Sequence, residues 1–142
     1  MLVDREVIEA RLKYLEDTIR KLYAISAVEL EEFLSRDDLQ DRAERNLQVA
    51  IQCCIDIGNH TIAATGLRAP NDYGDIFRIL DENQIIGHDL AETFVKMAGF
   101  RNILVHVYIS IDLRRVHQGI NMLSDFEEFA KAIVAWLQKA QN

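Results

Sequence analysis

The sequence predicts an all-α protein, an antiparallel up-and-down helical bundle of four long helices with shorter helices between them. Apolar residues recur at steps of three and four over most of the 142 residues, and the chain has only one proline and six glycines. A single segment alternates in the manner of a strand, and a strand without a partner leaves its backbone groups unpaired. At this length, with 49% hydrophobic residues, we expect one domain over residues 1–142.

The first element is an amphipathic helix over residues 4–24. Its apolar positions are Ile8, Leu12, Leu15, Ile19 and Leu22. Ser26 followed by Glu29 has the spacing of a capping box, which predicts a short helix that continues through Leu34.

The second long helix is expected over residues 37–65, and Ser35 with Asp38 predicts its start. One face is apolar throughout and consists of Leu39, Ala43, Leu47, Ala50, Ile51, Cys54, Ile55, Gly58 and Ile62. Residues 66–72, which include the only proline, form the loop that follows.

The second half of the chain is also predicted to be helical, with capping residues at Asp89, Asp112 and Ser124. The expected helices cover residues 74–82, 88–105, 112–119 and 124–140. The last of them repeats Phe126, Phe129, Ile133, Trp136, Leu137 and Ala140 at helical spacing.

Two features indicate a soluble, cytoplasmic protein. No apolar run approaches the eighteen or so residues that a membrane span requires, so we expect no membrane contact. Cys53 and Cys54 are adjacent, form no useful crosslink and fit a reducing compartment.

The net charge of −7 argues against a protein that binds nucleic acid over its whole surface. Residues 93–119 form a basic island, however. Four cations (Lys96, Arg101, Arg114 and Arg115) oppose Asp112 alone, a local charge of +3 that leaves −10 for the remainder. Helical proteins also carry such patches without a function.

Acidic residues crowd the start of the second long helix: Glu29, Glu31, Glu32, Asp37, Asp38, Asp41 and Glu44. A solvated surface with favourable charges at helix starts is the simpler interpretation, and a docking surface for a basic partner is the alternative.

The run from Arg101 to Tyr108 has the strongest chemical content. Read as a helix, it places Arg101, Asn102, His106 and Tyr108 on one broad face, with Val105 and Ile109 among them. The opposite face carries Phe100, Ile103, Leu104, Val107 and Ile111. Residues 105–112 alternate apolar and polar, so a strand is the competing interpretation.

Other chemical signatures are weak or absent. The sequence has no glycine-rich phosphate loop, no zinc spacing and no nucleophile elbow, and we expect neither a metal nor a cofactor. Cys53, Asp56 and His60 lie on one side of the second long helix and offer a possible metal site, although an intrahelical pair of Asp56 with His60 is the simpler interpretation. His88 and His117 are isolated and are expected to be surface or capping residues.

Arg101 and His106 suit RNA cleavage by the 2′-hydroxyl, which needs a general base, a general acid and a cation near the phosphorane. One chain supplies one histidine in this run, so a two-fold dimer with this face at its interface would supply two. A dimer would also cover Val105 and Ile109, which would otherwise lie exposed beside ionisable groups. The alternative is structural: Arg101 pairs with an acidic side chain and His106 caps a helix end.

The run Arg101-Asn102-Ile103-Leu104-Val105-His106-Val107-Tyr108 resembles the R-x4-H-x-Y motif of HEPN-domain ribonucleases of the HepT type. The similarity extends over residues 45–51 and 56–60, Pro70 with Tyr73, and the order of helices. It implies a homodimer with a composite, metal-independent active site formed by Arg101 and His106, with Asn102 as a supporting residue.

The same resemblance implies a biological context. HepT-type proteins are the toxins of type VII-like toxin–antitoxin pairs, cleave transfer or messenger RNA, and have a minimal nucleotidyltransferase (MNT) antitoxin as partner. Tyr108 is the expected acceptor of AMP from that antitoxin, and it is also expected to contact RNA. The alternatives are a non-catalytic nucleotide- or RNA-binding adaptor and a purely structural helical partner.

Overall fold

The computed structural model describes residues 2–106 and 111–140, with side chains from residue 5 onward. This part of the chain contains seven helices and no strand: α1 (Leu2–Ser26), α2 (Leu30–Ser35), α3 (Asp37–Thr65), α4 (Tyr73–Glu82), α5 (His88–His106), α6 (Leu113–Ile120) and α7 (Leu123–Ala140). The predicted all-α bundle, with α1, α3, α5 and α7 as its four long helices, is confirmed. No helix in these ranges has the length and apolarity to cross a bilayer.

Helix α3 is the centre of the bundle, since it contacts every other helix. All nine residues of its predicted apolar face are buried. The helix ends at Gly66, which has φ of 65° and donates its N–H to the carbonyl of Ile62. Glycine suits this left-handed position because it has no Cβ.

A cluster of four fully buried phenylalanines joins α4, α5 and α7. The Phe94 ring of α5 lies 5.1 Å from Phe77, 5.6 Å from Phe126 and 5.0 Å from Phe129, measured between ring centroids. Such offset and edge-on pairs add to the free energy of burial. The cluster holds the first half of α5, so the direction of its second half, which contains motif residues 101–106, is set by the core.

Two predicted capping boxes are wrong. Ser26 is the last residue of α1 and Ser35 the last of α2, and each hydroxyl donates to the carbonyl three residues earlier. The residues that precede α2 and α3 are Glu29 and Arg36, and neither makes a side-chain cap. A serine hydroxyl bonds to the backbone at either end of a helix, so the spacing alone does not distinguish the two positions.

The other predicted caps have mixed outcomes. Asp89 and Ser124 each lie just inside a helix, because α5 begins at His88 and α7 at Leu123. Asp112 caps α6 as predicted, and its Oδ1 accepts the backbone N–H of Arg114 at 3.0 Å.

The competing strand interpretation of residues 105–112 is wrong for Val105 and His106, which belong to α5. Residues 107–110 lie outside the described residues.

Candidate active site

Motif residues 101–106 occupy the last turns of α5. Arg101 is half-buried, Asn102 is exposed, and His106 is the exposed last residue of the helix. Tyr108 and Ile109 lie outside the described residues. Phe100 is buried and Ile103 and Leu104 pack against the core, as predicted for the apolar face.

Val105 was expected to be exposed in a single chain, and it is half-buried instead. The case for a dimer from exposed apolar residues is therefore weaker at this position.

The guanidinium of Arg101 has no acidic partner among the described residues. Its Nη1 donates to Oδ1 of Asn102 at 3.2 Å, and its Cζ lies 5.3 Å from the centroid of the Tyr73 ring. The Nε atom is buried and has no hydrogen-bond partner in this part of the chain. The structural alternative, an ion pair of Arg101 with an acidic side chain, is therefore not found within the described ranges.

Tyr73 is positioned by the first turn of α4. Asp72 caps that helix, and its Oδ1 accepts the backbone N–H of Asp75 at 2.7 Å. The buried carboxylate of Asp75 accepts two hydrogen bonds from Arg68 and one from the backbone N–H of Asn71. Chiefly because of the Arg68 hydrogen bonds, the pKa of Asp75 is lowered to about 2. These bonds fix the loop before α4 to the helix start.

Neither Tyr73 nor Asp75 is predicted from the sequence to have a functional role, and Tyr73 belongs only to the family resemblance, beside Pro70. Its contact with Arg101 joins two distant segments, and no local spacing predicts it.

Part of the basic island surrounds a groove of about 270 Å³ between α3, α5 and α6. Lys96 and Arg115 line it, and the guanidinium of Arg115 lies 4.7 Å from the centroid of the Phe100 ring. The structure thus brings two of the four predicted cations to one groove, next to the residue that precedes Arg101.

His88 is an exposed residue as expected, but neither His88 nor His117 is isolated. The two ring nitrogens of His88 lie 2.8 Å from Asp81 and 3.0 Å from Glu92, and the hydrogen bond with Asp81 is the main cause of its raised pKa. His117 is half-buried, and its Nε2 lies 2.8 Å from the carbonyl oxygen of Val28.

The possible metal site at Cys53, Asp56 and His60 has no support in the described residues. No group of three or more His, Cys, Asp or Glu side chains in those ranges is arranged to hold a metal ion. Burial raises the pKa of Cys53 to about 11, which disfavours the thiolate that binds metal. Asp56 instead accepts a hydrogen bond from Nε2 of Gln52 at 2.8 Å.

An all-α bundle whose α5 carries Arg101, with no acidic partner among the described residues, and ends five positions later in the exposed His106 has the form of a HEPN-type helical protein. The chain matches the ribonuclease HepT-like family over residues 13–133, and it belongs to that family. The prediction of a HepT-like ribonuclease is confirmed.

Two relatives in sequence are named nucleases. The mRNA nuclease HepT of Shewanella oneidensis is 40% identical over 98 residues, which cover 68% of this chain and 74% of that protein. The tRNA nuclease HepT of Aphanizomenon flos-aquae is 29% identical over 138 residues, 95% of this chain and 92% of that protein.

Two solved structures have the same fold. A tri-AMPylated HEPN toxin of Shewanella oneidensis, in complex with an MNT antitoxin, has a TM-score of 0.83 at 32% identity and covers 91% of this chain and 97% of its own. A toxin–antitoxin complex with AMP-PNP has a TM-score of 0.84 at 30% identity, and the match covers 92% of this chain and 98% of the other.

Proposed function

We propose that this ribonuclease is the toxin of a type VII-like HEPN/MNT toxin–antitoxin pair and cleaves RNA, without a metal, at a composite site of a homodimer. Arg101 and His106 are the catalytic residues, with Asn102 and Tyr108 in supporting roles. The observation that carries the proposal is the positive charge of Arg101, which no described carboxylate neutralises, on the helix that ends with the exposed His106. The names of the two relatives support RNA as the substrate, and the solved complexes support an MNT partner.

The geometry of α5 favours a site built from two chains. Five positions along an α-helix correspond to about 140° of rotation and about 7.5 Å of rise, so Arg101 and His106 lie toward opposite edges of the broad polar face, too far apart to meet on one phosphate in a single chain. A two-fold axis beside this end of α5 would bring the arginine of each chain toward the histidine of the other.

The cleft then contains every group that the reaction needs. One neutral histidine takes the proton of the 2′-hydroxyl as its oxygen attacks phosphorus, and the other, protonated histidine donates a proton to the departing 5′-oxygen. The products are a 2′,3′-cyclic phosphate and a free 5′-hydroxyl. Arginine stabilises the phosphorane charge with paired N–H donors and stays charged throughout.

The direct test is RNA cleavage in EDTA. His106→Ala and Arg101→Ala should each lower the rate by about a hundredfold or more, since acid–base catalysis alone contributes about 10²–10⁴. Matched controls are His88→Ala, which removes another exposed histidine, and Arg42→Ala, which removes an exposed arginine of α3. The assignment fails if the His106 and Arg101 variants both cleave at the parent rate.

The composite site has its own test. Light scattering at micromolar concentration should give the mass of a dimer, and His106→Ala should leave that mass unchanged. A monomer that cleaves RNA at the same concentration would exclude a site built from two chains.

A non-catalytic RNA- or nucleotide-binding adaptor is the alternative, favoured by the acidic net charge and the single histidine of the motif. Expression in a bacterial host separates the two. A toxin arrests growth and His106→Ala relieves the arrest, whereas an adaptor leaves growth unchanged in both cases.

A further inference from the structure

Arg101 lies against the partly exposed aromatic ring of Tyr73. Tyr73 is 38% exposed, and its ring centroid lies 5.3 Å from Cζ of Arg101. A cation within about 6 Å of a ring face is attracted by the ring quadrupole. The buried Nε–H of Arg101 has no hydrogen-bond partner among the described residues, so the attraction between the ring and the guanidinium charge offsets part of the cost of the lost water.

The Tyr73 ring belongs to a helix turn that several hydrogen bonds hold in place. Asp72 caps α4, Asp75 is bound by Arg68, and these bonds fix the first turn to which Tyr73 belongs. That turn also lies close to α5, because a Cβ added at Gly74 would be 3.4 Å from Cγ1 of Val95. The position of the ring relative to α5 is therefore set by two helices and a loop, independently of the arginine.

A hydrogen bond to Asn102 is the second contact that orients the Arg101 guanidinium. Nη1 donates to Asn102, and no second hydrogen bond of the guanidinium is found within the described residues. Its other terminal N–H groups are thus available for an anion, in the planar arrangement that suits phosphate.

We infer that Tyr73 is a positioning residue for Arg101, whose guanidinium it holds by its ring face in the orientation that meets the RNA phosphate. The inference rests on the proposed function for the role of Arg101, while the contact itself does not. The ring is the active feature and the phenol hydroxyl is not required, so phenylalanine should replace tyrosine.

The kinetic test compares Tyr73→Leu with Tyr73→Phe. Tyr73→Leu should lower kcat about two- to fivefold, the equivalent of a partly exposed cation–ring attraction, with KM changed less than about twofold. Tyr73→Phe should keep the parent kcat. Tyr14→Leu is the matched control, because Tyr14 is an exposed tyrosine of α1, and it should have no effect. In an Arg101→Ala background, Tyr73→Leu should cause no further loss.

A second readout does not depend on activity. The Arg101 Nε–H resonance in a nitrogen–proton correlation spectrum, assigned by its loss in Arg101→Lys, should be shifted by the ring current in the parent and in Tyr73→Phe. In Tyr73→Leu it should move and exchange faster with water. Tyr73→Gln replaces Tyr73→Leu in both experiments if thermal melting shows that the leucine variant is unfolded.

The outcomes separate the inference from the proposed function. If Arg101→Ala and His106→Ala both cleave RNA like the parent, the proposed function fails, and the spectrum still decides whether the contact between Arg101 and Tyr73 exists. If Arg101→Ala is inactive while Tyr73→Leu keeps the parent kcat, or if Tyr73→Phe loses as much as Tyr73→Leu, the positioning role is overturned.

Discussion

The carboxylate of Asp75 accepts hydrogen bonds from both terminal nitrogens of Arg68, at 2.7 and 2.9 Å. The same guanidinium also donates to Glu82, at 2.8 and 3.1 Å. Asp75 belongs to the first turn of α4 and Glu82 is its last residue, so one loop arginine binds both ends of this helix. The start of α4, where Tyr73 meets Arg101, is therefore held by charged hydrogen bonds as well as by the core.

We predict that Asp75→Asn lowers the free energy of unfolding at pH 7 by about 1–3 kcal/mol, the usual cost of lost hydrogen bonds to a charged group. The pKa of Asp75 is lower in the folded state, about 2, than in the unfolded chain. Its contribution is thus fully present above about pH 4 and is lost as the pH falls toward 2. Urea unfolding from pH 7 to pH 2 measures this.

Asp41→Asn makes the same charge change at an exposed position and is the control for the Asp75 experiment. The stability difference between the parent and Asp75→Asn should shrink with falling pH. A stability difference that stays constant from pH 7 to pH 2 would contradict a stabilising role for the ionised Asp75 carboxylate bound to Arg68.

Helix α3 packs tightly against α4 at Gly58. A methyl group there would overlap Cγ2 of Ile76, whereas a methyl group at the exposed Gly99 of α5 would meet nothing within 4 Å. We predict that Gly58→Ala lowers the free energy of unfolding by about 1–3 kcal/mol through overpacking. Gly99→Ala should raise it by roughly 0.5–1 kcal/mol through helix propensity. Denaturant melts of both variants test the pair, and equal effects of the same sign would refute the packing argument.

The two thiols are predicted to be unreactive in the folded protein. Burial raises the pKa of Cys53 to about 11 and that of Cys54 well above the usual value. At pH 7.5 the thiolate fraction of Cys53 is then roughly 300-fold below that of a free cysteine. A thiol reagent should label both residues within minutes in guanidinium and neither in buffer. Rapid labelling of folded protein would show that the site opens locally.

Tyr108 is predicted to be the acceptor of AMP. Co-expression with an MNT-type antitoxin should add multiples of the AMP mass to this chain and abolish RNA cleavage, because each adduct brings bulk and negative charge to a site that must bind phosphate. Tyr108→Phe should escape modification and keep at least part of the activity. Intact-mass spectra make the comparison.

The other three tyrosines supply the controls for the modification, since Tyr14, Tyr23 and Tyr73 are all exposed. Tyr73→Phe is the most stringent of them because its ring is the one next to Arg101. If Tyr108→Phe is still modified and Tyr73→Phe is not, the acceptor is Tyr73.

Local pattern determined most of the fold from the sequence alone. The spacing of Leu39, Leu47 and Ile62 fixes one side of α3 toward the core, because a helix repeats every 3.6 residues whatever surrounds it. The end of that helix at Gly66 follows from backbone sterics. The cap at Asp112 follows from a hydrogen bond between residues that are only two positions apart in the sequence. The helical structure of residues 101–106 could likewise be predicted, because the apolar residues on one side of this segment continue the apolar face of α5.

The tertiary structure decided which polar groups meet. Arg101 and Tyr73, Arg68 and Glu82, and His117 and the carbonyl of Val28 are far apart in the chain, and their contacts depend on how α4, α5 and α6 pack. The two predicted serine caps are wrong for a related reason. A serine hydroxyl forms a hydrogen bond with the backbone at the start or at the end of a helix, and packing decides where each helix begins and ends. Periodicity reports which side of a helix is buried, whereas the partner of each polar side chain is set by contacts that no single segment contains.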